Sequence, residues 1–277
     1  MSIAVLTLAA LCFVFATLLV VAHRVLHVEE DPRIEAVQDM LPGTNCGACG
    51  FPGCAGLAIA IVGGEALPGK CTVMTEDERE DVAGFMGVDA GAEEKVVARL
   101  ACAGGANTAR NRAAYAGLPS CRAAELIAGG GKACFWGCLG LSDCEVVCDF
   151  DAISMNRHGL PVVNEYNCTA CGDCVEACPK DLFELHPVSH RLWVNCKNLA
   201  KGQVVLEDCE VGCDACGRCA ADAPGVISMV ENLPVVDYQR NHDVRAAIER
   251  CPTGAIVWFD ENLGPQTGRA ARRVVRQ

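Results

Sequence analysis

The stretch that most constrains this chain is Cys168-Thr-Ala-Cys171-Gly-Asp-Cys174-Val-Glu-Ala-Cys178-Pro179, a C-x2-C-x2-C-x3-C-P run. Three closely spaced thiolates wrap one face of a [4Fe–4S] cubane, and the fourth, before the Pro, turns toward a second one. Zinc sites use C-x2-C pairs, but four close Cys ending in Cys-Pro are not their spacing. Aromatic residues make up 5% of the 277 residues while Cys number 21, so clusters and their loops, more than large side chains, hold such small domains together. In a short secreted chain that many Cys would mean disulfides. Here no cleavable signal peptide is evident, and cluster ligands must be thiolates, so a reducing compartment fits better.

At the start, 21 residues from Ser2 to Ala22 carry no formal charge. At about 1.5 Å per residue they cross the roughly 30 Å hydrocarbon core of a bilayer. A secretory signal would want a basic start and a small-residue cleavage site, and neither is clear. Leu11 before Cys12 suits a lipoprotein site poorly, so Cys12 reads as a packing or lipid-facing residue. His23-Arg24 after the span, with no Lys or Arg before it, places the rest of the chain in the cytoplasm by the positive-inside rule. The formal net charge of −12 disfavours nucleic acid. Four Arg in the last nine residues form a basic tail, either solvated or gripping an acidic partner or lipid headgroups.

Asp31-Pro32 reads as an N-cap and first helical position, opening a helix through Met40. Cys46, Cys49, Cys54 and Cys71 then follow in C-x2-C-x4-C-x16-C spacing with Gly43, Gly47, Gly50 and Gly53 among them. Four thiolates suffice for one cubane, and the glycines let the backbone aim amides at sulfur. Thr75-Glu-Asp-Glu78 is a capping box for a helix to about Met86. Lys95–Ala101 reads as a strand, Asn107–Tyr115 as a helix, and Cys121 as the start of another. Gly129-Gly-Gly131 is a loop, and the six His read as structural or solvated.

Cys134, Cys138, Cys144 and Cys148 precede the opening run, with an apolar-turn-apolar hairpin at 152–163 between them. The crossover of two-cluster ferredoxins assigns Cys134, Cys138, Cys144 and Cys178 to one cluster, and Cys148, Cys168, Cys171 and Cys174 to the other. The hairpin recurs at 226–236. Its flanks keep Cys213, Cys216, Cys219 and Cys251-Pro252, while Asn241, Val244, Ala247 and Asp222/Ala223 stand where the other four ligands would be. One whole site is lost and its partner is complete, a division that only crossover pairing produces. Cys102, Cys121, Cys196 and Cys209 remain: in each pair a strand leads to a Cys, then a small-residue loop and a second Cys. They are expected to meet as a four-Cys site, the bland alternative being four unligated or partly buried thiols. Apart from Cys12, the Cys thus make five sets of four, and five [4Fe–4S] clusters are expected.

The joined pattern resembles the B subunit of the Rnf membrane complex, an ion-translocating ferredoxin:NAD oxidoreductase. The resemblance covers nearly the whole chain. It is carried by the N-terminal apolar span, by Leu41-Pro-Gly-Thr-Asn-Cys-Gly-Ala-Cys-Gly-Phe-Pro-Gly-Cys54 and by Cys121 with Gly-Gly-Lys-Ala-Cys134-Phe-Trp-Gly-Cys-Leu-Gly-Leu-Ser-Asp-Cys144. The ferredoxin run and the Cys196…Cys209 pair complete it. Two departures stand out. Members often carry a full second two-cluster unit where this chain keeps half, and they tend to have Pro-Gly-Gly soon after the ligand matching Cys71, where this chain has Thr72-Val-Met. The resemblance implies an electron-carrying subunit that takes electrons from reduced ferredoxin and passes them to membrane and flavoprotein partners. It implies a single-pass protein of the inner membrane with its soluble part in the cytoplasm.

The expected fold is α+β. A membrane anchor helix (1–24) precedes a small four-Cys iron–sulfur domain (25–90) and a connecting segment (91–131). A two-cluster ferredoxin-type unit (132–187), a degenerate one-cluster repeat (188–260) and the basic tail (261–277) follow. No nucleotide-binding Gly-rich turn and no acid/base constellation is evident, so the chain reads as a carrier within an oxidoreductase and not as a catalyst by itself. One helix cannot line an ion path, so ion transport falls to partners. Two alternatives stand beside this reading: the electron-input subunit of another membrane oxidoreductase, supplying nitrogenase or a redox sensor, and a non-redox zinc scaffold.

Overall fold

The computed structural model describes residues 2–26, 31–260 and 262–272. Arg273 and Arg276 of the basic tail lie outside these. The chain divides into two compact units. Met1–Asn45, Phe51–Pro68 and Met74–Ala90 form the smaller, and Cys46–Gly50, Gly69–Val73 and Gly91–Gln277 the larger.

In the smaller unit the uncharged start forms helix α1 (Ser2–Leu26). Its Val5–Val25 stretch is long and apolar enough to cross a membrane. Leu, Val and Phe side chains are exposed along it, which suits an apolar surrounding better than water. Helix α2 (Pro32–Met40) starts where Asp31 accepts the Arg33 N–H at 2.9 Å, with Pro32 in the first turn. Val37 of α2 and Leu57, Ala58 and Ile61 of α3 (Gly53–Val62) are buried, and these helices pack together. In α4 (Glu76–Met86) the Thr75 hydroxyl accepts the Glu78 N–H and the Glu78 carboxylate accepts the Thr75 N–H. Such a cap stabilises a helix by about 1 kcal/mol.

The larger unit repeats one plan twice. The first half runs β1 (Val96–Leu100), α5 (Cys121–Leu126), α6 (Asp143–Val146), β2 (Ile153–Met155), β3 (Pro161–Val163), α7 (Asp173–Ala177) and β4 (Phe183–Pro187). The second runs β5 (Leu192–Val194), α8 (Gln203–Asp208), α9 (Arg218–Asp222), β6 (Ile227–Val230), β7 (Leu233–Val236), α10 (Ala246–Glu249) and β8 (Ile256–Asp260), with β9 (Gly264–Gln266) beyond. In each half the first and last strands pair antiparallel, Leu100 opposite Phe183 and Val194 opposite Ile256. The middle strands form the hairpin, Ile153 opposite Val163 and Ile227 opposite Val236. The second half thus opens with β5, because the strand after the last helix needs a partner for its backbone groups. Fold class is α+β.

Each half has its own core. Val97, Ala152, Ile153 and Phe183 pack with Cys144, Cys168 and Cys174, while Leu192, Ile227, Ile248 and Ile256 pack with Cys213, Cys219 and Cys251. The halves are tied where the Trp193 indole N–H donates to the Leu100 carbonyl at 2.9 Å. Buried Arg99 pairs with Glu165 and lays its guanidinium over the Phe259 ring at 3.7 Å. His186, His190 and His242, scattered in sequence, converge on Tyr238, whose ring stacks on His190 at 3.9 Å.

The segment 107–115 is not the expected helix. It is drawn out between two Cys-bearing loops: Ala109 bridges Cys209 and Asn111 bridges Lys132. The Arg110 N–H donates to Asp208 O, and the Ala133 N–H to Arg110 O. These tertiary hydrogen bonds outweigh the helix preference of an Ala/Arg-rich stretch, which amounts to tenths of a kcal/mol per residue.

Candidate metal centres

All 21 Cys are free thiols. In the larger unit sixteen of them surround four separate cavities. Cys148, Cys168, Cys171 and Cys174 line one, and Cys213, Cys216, Cys219 and Cys251 another. The local conformation repeats between these two: Ala170 and Ala215 both take positive φ (58° and 59°), turning the loop so that successive sulfurs face inward. Gly172 and Gly217, also at positive φ, then start α7 and α9.

The other two cavities correct the expected grouping. Cys121, Cys138, Cys144 and Cys178 line one, and Cys102, Cys134, Cys196 and Cys209 the other. Cys121 and Cys134 have exchanged places. The bridges from Ala109 to Cys209 and from Asn111 to Lys132 hold Cys134 beside Cys209. Cys121 is pinned elsewhere, because Asp143 at the start of α6 accepts both the Ser120 hydroxyl (2.9 Å) and the Arg122 N–H (3.0 Å). That puts Cys121 next to Cys144. A signal for this was present in the sequence: Cys134-Phe-Trp-Gly-Cys138 and Cys209-Glu-Val-Gly-Cys213 share a C-x2-G-C frame, and Cys102 and Cys196 each follow the first strand of a half.

The exchanged group is symmetric between the halves. The Gly104 N–H donates to Cys102 Sγ and the Asn198 N–H to Cys196 Sγ, at 3.4 and 3.5 Å. The Cys138 N–H donates to Cys102 Sγ at 3.4 Å, and the Cys213 N–H to Cys196 Sγ at 3.3 Å. A Cys of each neighbouring group therefore touches this one. The Cys121 group in turn shares a core with the Cys148 group through Cys144, Cys168 and Cys174. Beyond that, the Thr72 hydroxyl, next to Cys71, donates to Thr169 O at 2.7 Å. Cys46, Cys49 and Cys71 belong to the larger unit and Cys54 opens α3 of the smaller, its N–H bound by Asn45 Oδ1 at 2.8 Å. Cys12 is exposed on α1.

Burial pushes the thiols of Cys144, Cys174, Cys196 and Cys213 up to about 12, and those of Cys209 and Cys219 to about 11. The Cys138 thiol is raised for the same reason. Backbone N–H groups pull against this, those of Trp136 at Cys134 and of Val211 at Cys209 among them. Thiols so buried become thiolates only beside a strong cationic centre, which the iron of a cluster supplies. The donor set fits [4Fe–4S] clusters.

The fold and the Cys groups define an iron–sulfur protein of electron transport. A family model for an Fe-S cluster domain matches residues 41–73, and one for a 4Fe-4S binding domain matches residues 161–184. The chain is 41% identical over 88% of its length to the B subunit of the Na(+)-translocating ferredoxin:NAD(+) oxidoreductase complex of Acetobacterium woodii, covering 73% of that protein. It is 37% identical over 90% of its length to the B subunit of the ion-translocating oxidoreductase complex of Methanosarcina acetivorans, covering 95% of it. The B subunit of a proton-translocating ferredoxin:NAD(+) oxidoreductase complex from Clostridium ljungdahlii is 38% identical over 88% of the chain and 87% of the relative. The chain belongs to this family, the B subunits of the Rnf-type ion-translocating oxidoreductase complexes.

Proposed function

We propose that the chain is a membrane-anchored relay that takes electrons from reduced ferredoxin, or a similar low-potential donor, and hands them to the membrane and flavoprotein subunits of an Rnf-type complex. When bound, a [4Fe–4S] cluster in each Cys group supplies one-electron redox chemistry. Five groups are assigned: Cys46/Cys49/Cys54/Cys71, Cys148/Cys168/Cys171/Cys174, Cys121/Cys138/Cys144/Cys178, Cys102/Cys134/Cys196/Cys209 and Cys213/Cys216/Cys219/Cys251.

The observation that carries the reading is contact between neighbouring groups. The Cys138 and Cys213 N–H groups, each on a ligand of one group, donate to sulfurs of the middle group. One end of the row lies at Cys216, the exposed Cys among the sixteen. The other lies at Cys168, beside Thr72 and Cys71. Helix α1 supports anchoring by length and composition, and His23 and Arg24 at its end support a cytoplasmic soluble part. The relatives' names give sodium for one and protons for another; a single span lines no ion path, so ion transport falls to the partner subunits.

The test is to mix the full chain, purified anaerobically in detergent with its iron counted, with reduced ferredoxin. Bleaching of the visible absorbance is expected. A brown, dithionite-reducible protein that takes no electrons from ferredoxin overturns the donor, and a colourless, zinc-loaded one overturns the clusters.

A further inference from the structure

The four cavities of the larger unit differ in the charge of their walls. Asp173 stands in the wall of the Cys148 group and Asp214 in that of the Cys213 group; the Cys121 group has Asp143 and Lys180, the latter's charge met by Glu125 at 2.5 Å. The described wall of the middle group, Cys102/Cys134/Cys196/Cys209, contains no carboxylate; Lys132, Lys197 and Asn198 stand there instead. Lys197 turns its ammonium outward to Glu184 at 2.7 Å. Lys132 donates to the Gly104 carbonyl at 2.7 Å, a partner that leaves its charge uncancelled.

Asn198 is 3% exposed. Its Oδ1 accepts the Ala200 N–H at 2.9 Å, which fixes the amide so that Nδ2 donates to Cys134 Sγ at 3.5 Å. Neither feature has a counterpart across the repeat. Two residues after Cys102 is Gly104, matching Asn198, and two residues before Cys209 is Glu207, matching Lys132.

Reduction adds negative charge to a thiolate-bound centre. Hydrogen-bond donors and cations at its edge stabilise that charge, and carboxylates oppose it. We infer that Lys132 and Asn198 hold the middle group at the highest reduction potential of the four in the larger unit, so that an electron entering from either side comes to rest there. This rests on the reading of Cys102, Cys134, Cys196 and Cys209 as a cluster site. The electron comes from a low-potential one-electron donor, which is oxidised as the middle centre is reduced. Lys132 and Asn198 are positioning residues, acting through the ligand sulfurs.

The experiment is an EPR-monitored potentiometric titration of the full chain in detergent, with iron counted. The signal missing in Cys196→Ala identifies the middle centre. It is expected to be reduced before the other three centres of the larger unit as the potential is lowered, the Cys46 group's signal being set aside as the one missing in Cys49→Ala. Asn198→Asp keeps the acceptor for Ala200, removes the donor and puts a carboxylate in the wall; Lys132→Met removes the charge. Each is expected to lower the reduction equilibrium constant of that signal at least about tenfold, or 59 mV for one electron, while Lys132→Arg restores it. A midpoint unchanged in Lys132→Met with iron retained overturns the inference, as does a wild-type middle signal that is not the first reduced of those four. If Asn198→Asp loses iron, Lys132→Met decides. If Cys196→Ala loses no iron, the site itself is overturned and the inference with it.

Discussion

The two halves of the larger unit share a frame and differ in what fills it. In the first, Cys148, Cys168, Cys171 and Cys174 line a cavity between the hairpin and α7. In the second, Asp222 and Ala223 stand where the first has Cys148, and Asn241, Val244 and Ala247 stand where it has Cys168, Cys171 and Cys174. Ala223, Ala247 and Ile248 are buried there with Val244 packed against them. Asp222 reaches across to Arg250, forming an ion pair at 2.6 Å between the ends of α9 and α10. Apolar packing and one ion pair thus stand where the first half has a four-Cys cavity, while the strands kept their register. The frame needs something to fill the space; the relay needs it to be a cluster.

Removing iron should separate these roles most sharply. The apolar cores are small and include the ligand Cys themselves, so chelation of oxidised protein should unfold the larger unit. Near-UV circular dichroism that survives complete iron loss would mean the frame stands without its clusters. Next in size, Cys171→Ala should cost about four irons per chain, one cubane, whereas Val244→Ala at the matching position should cost none. Iron analysis after anaerobic purification decides it, and iron loss in Val244→Ala would mean the second half holds metal where packing is described.

Smaller still is Ile248→Ala. Ile248 is buried to 1% exposure, and its truncation should lower stability by about 2–5 kcal/mol with iron unchanged, read by urea denaturation of the reduced protein. The smallest effect belongs to Asp222→Asn. The Arg250 guanidinium holds the Asp222 carboxyl below its usual 3.8, so the pair's contribution is present above that pH and fades as pH falls through the lowered value. Because Arg250 is exposed, the loss should be under about 1 kcal/mol, equal at pH 7 and pH 5.

Local features are legible in the sequence where a few neighbouring residues suffice. Asp31-Pro32 and the Thr75–Glu78 box announce α2 and α4, and the two hairpins follow from their alternating apolar runs. The run around Cys168 carries its group because C-x2-C-x2-C spacing is itself a wrap. Spacing assigns Cys121 and Cys134 to each other's groups because what separates them is not local. Asp143 draws one and the Ala109–Cys209 bridge draws the other, contacts that spacing does not encode. The same bridge overrides the helical preference of 107–115. The convergence of His186, His190 and His242 on Tyr238 is equally hidden, since it joins β4 and the turn after it in one half to a loop of the other.

The middle group also bears on how the protein is made. Its ligands run from Cys102 to Cys209, whereas Cys46 to Cys71 lie within one short stretch and the Cys148 group is complete once Cys174 has been synthesised. A chain emerging from the ribosome can present those earlier sites in full while the middle one still lacks half its sulfurs. Iron delivery therefore meets an order written along the polypeptide. In the proposed relay the middle group is complete only after Cys209 has appeared, and the Cys213 group only after Cys251, so an interrupted chain would lack the link at the centre.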